Sequence, residues 1–193
     1  MNKKLLSGLI LSALVVACED SDVAAPVDDH EHEAITAVVL KVANKADASD
    51  TATVRFLDAD GDGGAAPVLP GHLSLRSGAT YAASLQFLDQ SNPSDIHDLN
   101  EEIGGSESDD HRIFWVSKRG SLTATITDKD PGGLLLGLQA DVAVSGSGAD
   151  TLRVVLRHLP GSKTAASTIT DGETDADIDF PVSISAGAVL EAK

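Results

Sequence analysis

The sequence predicts an all-β fold, an immunoglobulin-like antiparallel β-sandwich of about eight strands with one short helix. Three observations carry this. From Ala34 onward, apolar residues recur at every second position in eight separate runs, the period of a strand that buries one face. The runs are divided by Gly, Asp, Asn and Pro, the residues that turns require. Each run can bury one face only, so two sheets must stack to cover them all.

The chain opens with Lys3 and Lys4, then an uncharged stretch from Leu5 to Val16, then Ala17 and Cys18. The apolar stretch is too short to span a bilayer, which takes roughly 20 residues, and fits the about 7–15 of a secretory signal. Val15-Val16-Ala17-Cys18 resembles the lipobox of bacterial lipoproteins, and Cys18 is the only cysteine. The resemblance implies cleavage after Ala17, so that residues 1–17 are a lipoprotein signal peptide, with diacylglycerol placed on the Cys18 sulfur. Two or more acyl chains, at about 0.8 kcal/mol per buried CH₂, give lasting attachment to a membrane. Glu19, not Asp, follows the cysteine, which by resemblance to enterobacterial sorting implies the cell outer membrane. The acidic run Glu19-Asp20-Ser21-Asp22 looks like the surface-export signals of some lipoproteins, so a periplasmic and a cell-surface orientation both stand. Residues 18–33, rich in Asp, Ala and Pro and without periodicity, form the lipidated flexible tether.

Residues 34–193 are the sandwich domain. Val38, Leu40 and Val42 form its first inward row, followed by Ala52, Val54 and Phe56. Tyr81, Ala83, Leu85 and Phe87 form the third. Next come Ile113 and Trp115, with Trp115 expected in the core, and then Leu122, Ala124 and Ile126. Leu136, Leu138, Ala140, Val142 and Val144 make the longest row. Leu152, Val154 and Leu156 precede the last, Ile178, Phe180, Val182 and Ile184. Pro181 marks that last run as an edge strand, because proline cannot donate to a ladder. Aromatics are 3% of the chain and apolar residues 42%, so the core is mostly Val, Leu, Ile and Ala. One segment breaks the pattern. Asn92-Pro93 reads as a helix cap and first helical position, opening a short helix from Pro93 to Ile103 that ends at Gly104-Gly105. Ile96, Leu99 and Ile103 would share its buried stripe, with His97 and Glu101, four apart, on another face.

Charge excludes one class of partner. The chain carries 14 Lys and Arg against 30 Asp and Glu, a net charge of −16. Met1–Ala17 holds two of the basic residues and none of the acidic ones, so the mature charge is −18. Phosphate backbones repel such a surface, so nucleic acid is not a partner. With the one cysteine lipidated, no disulfide forms. Catalysis finds no motif: Gly146-Ser147-Gly148 reads as a turn without a G-x-S-x-G elbow, and no glycine-rich loop opens a helix. The chain reads as a non-catalytic protein, not an enzyme.

Cation ligands are the remaining signal. Asp58, Asp60 and Asp62 with Gly63 match the first half of a calcium loop, D-x-D-x-D-G. The twelfth position is Leu69 where an EF-hand needs a bidentate Glu, so the stretch reads as an acidic turn and calcium is not favoured. His30 and His32 lie two apart among Asp28, Asp29, Glu31 and Glu33, a composition that suits zinc or copper and equally a solvated linker. His97, Glu101, Glu102, Asp109, Asp110 and His111 form a second group. His158 follows Leu156 on the inward register, just before Pro160-Gly161.

Several of these pieces together resemble small outer-membrane lipoproteins of Gram-negative bacteria, largely uncharacterised and sometimes labelled as having a periplasmic binding fold. The pieces are His30-Glu31-His32-Glu33, the Leu57–Gly64 turn, Asp98–His111 with Phe114-Trp115, and Leu156-Arg157-His158-Leu159-Pro160. The label itself does not fit, since a type 1 binding protein has two α/β lobes and this chain lacks the helical pattern for them. Gly104-Gly105-Ser106 interrupts a longer acidic run of the family. The expectation is a lipid-anchored protein that binds zinc or copper through His30, His32, His97, Glu101, His111 and His158, accessory to metal uptake by an envelope transporter. The alternative is a lipid-anchored interaction module that binds a partner protein or glycan without metal.

Overall fold

The computed structural model describes residues 34–61 and 64–186; the signal and tether with Cys18, His30 and His32, and Asp62 of the turn, lie outside them. The described chain is a two-layer β-sandwich of ten strands. In order these are β1 (Ala37–Asn44), β2 (Asp47–Leu57), β3 (Leu73–Arg76), β4 (Thr80–Asn92) and β5 (Asp95–Asp98). A single π-helical turn, Glu102–Ser106, leads to β6 (His111–Ser117), β7 (Leu122–Ile126), β8 (Gln139–Val144), β9 (Gly148–His158) and β10 (Glu173–Ser185).

One sheet runs β2-β1-β4-β8-β7, with β5 also on β4. Strand β4 is long enough to take β8 along Thr80–Ser84 and β5 along its far end, Leu88 to Asn92. The other sheet runs β3-β10-β9-β6. All pairs are antiparallel except β3 with β10, which is parallel. Alternation places Val38, Leu40, Tyr81, Leu85 and Phe87 of the first sheet against Leu152, Val154, Leu156, Phe180 and Val182 of the second, all buried. Burying each large apolar side chain contributes about 1.5–3 kcal/mol, which is why the period-two rows decide the fold.

Tyr81 shows how a core of few aromatics is tied together. Its ring is fully buried. Its hydroxyl accepts from the Arg76 amide at 3.0 Å and donates to Asp50 Oδ2 at 2.8 Å. Buried tyrosines need such partners. Here the partners join the end of β3 to β2.

The structure corrects four expectations. There are ten strands rather than about eight, because β3 and β5 are four residues each and carry too little alternation to register. The helix from Pro93 to Ile103 is absent. Asn92 Oδ1 accepts from the Ser94 amide at 3.1 Å, and this Asx turn sends the chain back as β5 along β4. Asn-Pro serves a hairpin turn as well as a helix start. Ile96 is therefore 55% exposed, while Leu99 and Ile103 are buried as expected; Gly104 and Gly105 lie inside the π turn rather than ending a helix. Strand β10 is interior, not an edge. Pro181 sits opposite Thr151 of β9, and β3 pairs only from Val182 onward, so the proline occupies a point where β10 has one neighbour. Trp115 is half-buried at the margin of the core, where its Nε1 donates to the Gly137 carbonyl at 2.8 Å.

Candidate metal centre

Two of the histidines meet at the end of the second sheet. His111 starts β6 and His158 ends β9, and the two are direct cross-strand partners. Cross-strand partners point to one face of the sheet. Both rings are buried, stacked 4.8 Å apart between centroids with 14° between their planes.

The third member comes from an irregularity. Strand β10 pairs Thr174 with Arg157 and Ala176 with Leu156, leaving Asp175 as an extra residue in a β-bulge. A bulge re-aims the side chain it carries. Here it brings the Asp175 carboxylate to the histidine pair, with Oδ2 3.4 Å from His111 Nε2. Donor atoms of His111, His158 and Asp175 all lie within 4.8 Å of one another.

The protons can be placed. His111 Nδ1 lies 3.0 Å from the Glu107 carbonyl oxygen. A carbonyl only accepts, so Nδ1 carries the hydrogen and a neutral ring presents a lone pair at Nε2. That nitrogen faces Asp175 Oδ2, 3.4 Å away. A cation shared by the two, either a proton on Nε2 or a metal, makes the contact attractive. The same balance acts on the His111 pKa. Burial pulls it down, but Asp175, the Glu107 carbonyl and the charges of both residues outweigh burial and raise it above the ordinary value.

Surrounding loops hold the two rings. Leu159, next to His158, donates its amide to the Asp110 carbonyl at 2.6 Å, and Asp110 Oδ1 accepts from the Gly161 amide at 2.8 Å. Lys163 Nζ lies 2.7 Å from Asp130 Oδ2 and donates to the Ser108 carbonyl at 2.7 Å. Arg157 donates to the carbonyls of Asp171 and Gly172 and to the Thr174 hydroxyl, which fixes the chain entering the bulge.

The other expected ligands lie elsewhere. His97 is on β5, exposed, opposite Asp89 and 3.7 Å from an Asp95 oxygen. It shares no helix face with Glu101, which precedes the π turn. In the acidic turn, Asp60 Oδ2 accepts from the Ala65 amide at 2.8 Å. A side chain at position 64 would overlap the Asp60 carboxyl, so Gly64 lets Asp60 close the turn on itself. The composition that suggests a calcium loop is, at Asp60, turn chemistry. Asp58 differs. Its amide donates to the Thr36 carbonyl at 2.8 Å, and its Oδ1 is buried with no hydrogen-bond partner. Asp175 was not legible as a ligand. The row Asp175, Asp177, Asp179 alternates with Ala176, Ile178 and Phe180 and reads as a solvated face, which is true of the later two: Asp177 pairs with Arg153 and Asp179 with Lys118.

No family model matches the chain, and no curated protein matches it. Among solved structures it is similar to domains 4 and 5 of the S-layer protein SbsC, at 11% identity and a TM-score of 0.28, over 68% of this chain and 63% of that one. The aligned region thus spans less than two thirds of the S-layer chain, and a likeness this distant carries no assignment.

Proposed function

We propose that this protein is a lipid-anchored, non-catalytic envelope protein that binds a divalent transition metal, zinc or copper, at His111, His158 and Asp175, as an accessory to an envelope metal transporter. The observation that supports the metal reading is the facing pair of His111 Nε2 and Asp175 Oδ2. Their 3.4 Å separation is already close to the roughly 3.3–3.5 Å edge of a tetrahedron with bonds of about 2.0–2.2 Å. The His111 Nδ1 contact to a backbone carbonyl is the arrangement that orients a metal-ligating imidazole. Two imidazoles and a carboxylate are the donor set of many zinc sites, and imidazole also suits copper. The outer-membrane anchor at Cys18 rests on the lipobox resemblance, and mass analysis of the protein extracted from envelopes reads it directly.

Titration calorimetry with zinc and copper, at pH 7.5 and 5.5, tests the metal reading. The parent should bind tighter than about 10 µM at pH 7.5 and more weakly at pH 5.5, because protons compete for the imidazole lone pairs. His111→Ala and Asp175→Ala should each lose binding, and His97→Ala should not. Binding weaker than that limit in the parent, or unchanged in the His111 and Asp175 variants, would favour the metal-free interaction module.

A further inference from the structure

Lys163 and Asp130 carry opposite charges where almost no water reaches them. Each side chain is 1% exposed, and Nζ lies 2.7 Å from Oδ2. At that distance an ammonium and a carboxylate ordinarily share a hydrogen bond. Here Asp130 Oδ2 accepts none; Lys163 Nζ donates instead to the Ser108 carbonyl at 2.7 Å. The amine therefore lies against the carboxyl group, out of line with its oxygen. The second oxygen, Oδ1, accepts from the Leu134 amide at 2.8 Å.

Two ions held in this way are costly. Each carries a large desolvation penalty, repaid only where the geometry between them is good. Amide formation removes both charges at once. In bulk water an ammonium and a carboxylate do not condense, because each is well solvated and the two seldom meet with their reacting atoms in register. Both obstacles are lifted here. The ions have lost their water, and groups held in a near-attack geometry react as though at about 10⁵–10⁸ M.

We propose that Lys163 and Asp130 condense into an intramolecular isopeptide bond, with the charged pair as its reactant state. The ammonium passes one proton to Oδ2, which leaves a neutral amine beside a carboxylic acid. The Nζ lone pair then attacks Cγ. Negative charge develops on Oδ1, where the Leu134 amide is already in place as an oxyanion donor. Nζ gives a second proton to Oδ2, the Cγ–Oδ2 bond breaks, and Oδ2 departs as water. The Nζ–Cγ bond remains, with one hydrogen on Nζ. One ammonium and one carboxylate become one amide and one water, and no further reactant enters. The link closes the segment from Asp130 to Lys163, which holds β8 of one sheet and β9 of the other. A cross-link of this kind stabilises chiefly by restricting the unfolded chain. The chain has a single cysteine, so an internal disulfide cannot do the same. The bond is independent of the metal reading.

Peptide mapping of the purified full chain by mass spectrometry tests this. The two segments should be recovered as one branched peptide, with the mass of both less one water and with fragment ions that place the branch between Asp130 and Lys163. That peptide should be missing from Lys163→Met and from Asp130→Ala. On a denaturing gel the parent should run ahead of Lys163→Met, because a cross-linked chain stays more compact when unfolded. Recovery of the two segments only as separate linear peptides, or a branch at any other residue, would overturn the bond and leave an ion pair. The parent map decides by itself, so a variant that fails to fold does not blur the result.

Discussion

Lys163 and Asp130 form an ion pair sealed inside the protein, with Nζ and Oδ2 2.7 Å apart and each side chain 1% exposed. Asp130 Oδ1 accepts from the Leu134 amide at 2.8 Å. The pair therefore fastens three loops: the one around Asp130, the one after His158, and, through the Ser108 carbonyl, the one before His111. Burial works against the Asp130 carboxylate, but Lys163 and the amides of Leu134 and Gly132 outweigh it and hold the pKa low.

Removing one partner leaves a buried charge alone. Lys163→Met and Asp130→Ala should each cost about 3–5 kcal/mol. The double variant Lys163→Met with Asp130→Leu should recover most of the loss, since an apolar pair avoids desolvation. Urea unfolding of the three variants checks this; equal loss in the double variant would mean that the loop contacts, not the charges, carry the energy.

Acid stability should be governed in part by Asp150. This buried carboxylate accepts from the Ser117 hydroxyl at 2.7 Å and from the amides of Arg119, Ser121 and Thr151 at 2.9, 3.0 and 2.6 Å. Burial alone would raise its pKa, and these donors together lower it below the ordinary value. Its contribution is thus complete above the unfolded pKa of about 3.9 and is lost as pH falls through the lower folded value. Asp150→Asn should be less stable by about 1–3 kcal/mol at neutral pH, with the two stability curves converging toward pH 2. Parallel curves throughout would remove Asp150 from the acid transition.

Gly137 offers a spectroscopic check on the sheet margin. It sits at φ +104°, and a Cβ there would lie 2.6 Å from the Ile113 carbonyl oxygen. Gly137→Ala should cost about 2–4 kcal/mol through backbone strain and displacement of β6. Its carbonyl takes the Trp115 indole, and Trp115 is the one tryptophan. Its fluorescence should shift to the red in the variant. Unchanged emission would mean that the indole keeps its partner.

What the sequence made legible is the strands with long apolar rows. Ile178, Phe180, Val182 and Ile184 announce β10 because each alternate position is a large apolar residue, and all are buried. Strand β5 offers only Ile96 between polar residues, and that one is exposed, so nothing in its composition marks it. His111 and His158 could be singled out as candidate ligands, but their contact is a fact of register between strands some 40 residues apart in the chain. Asp175 was harder still, because it depends on a bulge, which leaves no periodic trace.

The bulge at Asp175 has a consequence for how such a site can arise. Thr174 pairs with Arg157 and Glu173 with His158 on one side of it, and Ala176 pairs with Leu156 on the other. Striking out residue 175 would leave every one of these pairs in place and simply close the ladder. The sheet and the ligand are thus separable by a single codon. An ancestor with an unbroken β10 would have had the same sandwich and the same stacked histidines. One inserted residue, pushed out of the ladder because no partner opposes it, would then have placed a carboxylate beside them at little expense to the fold.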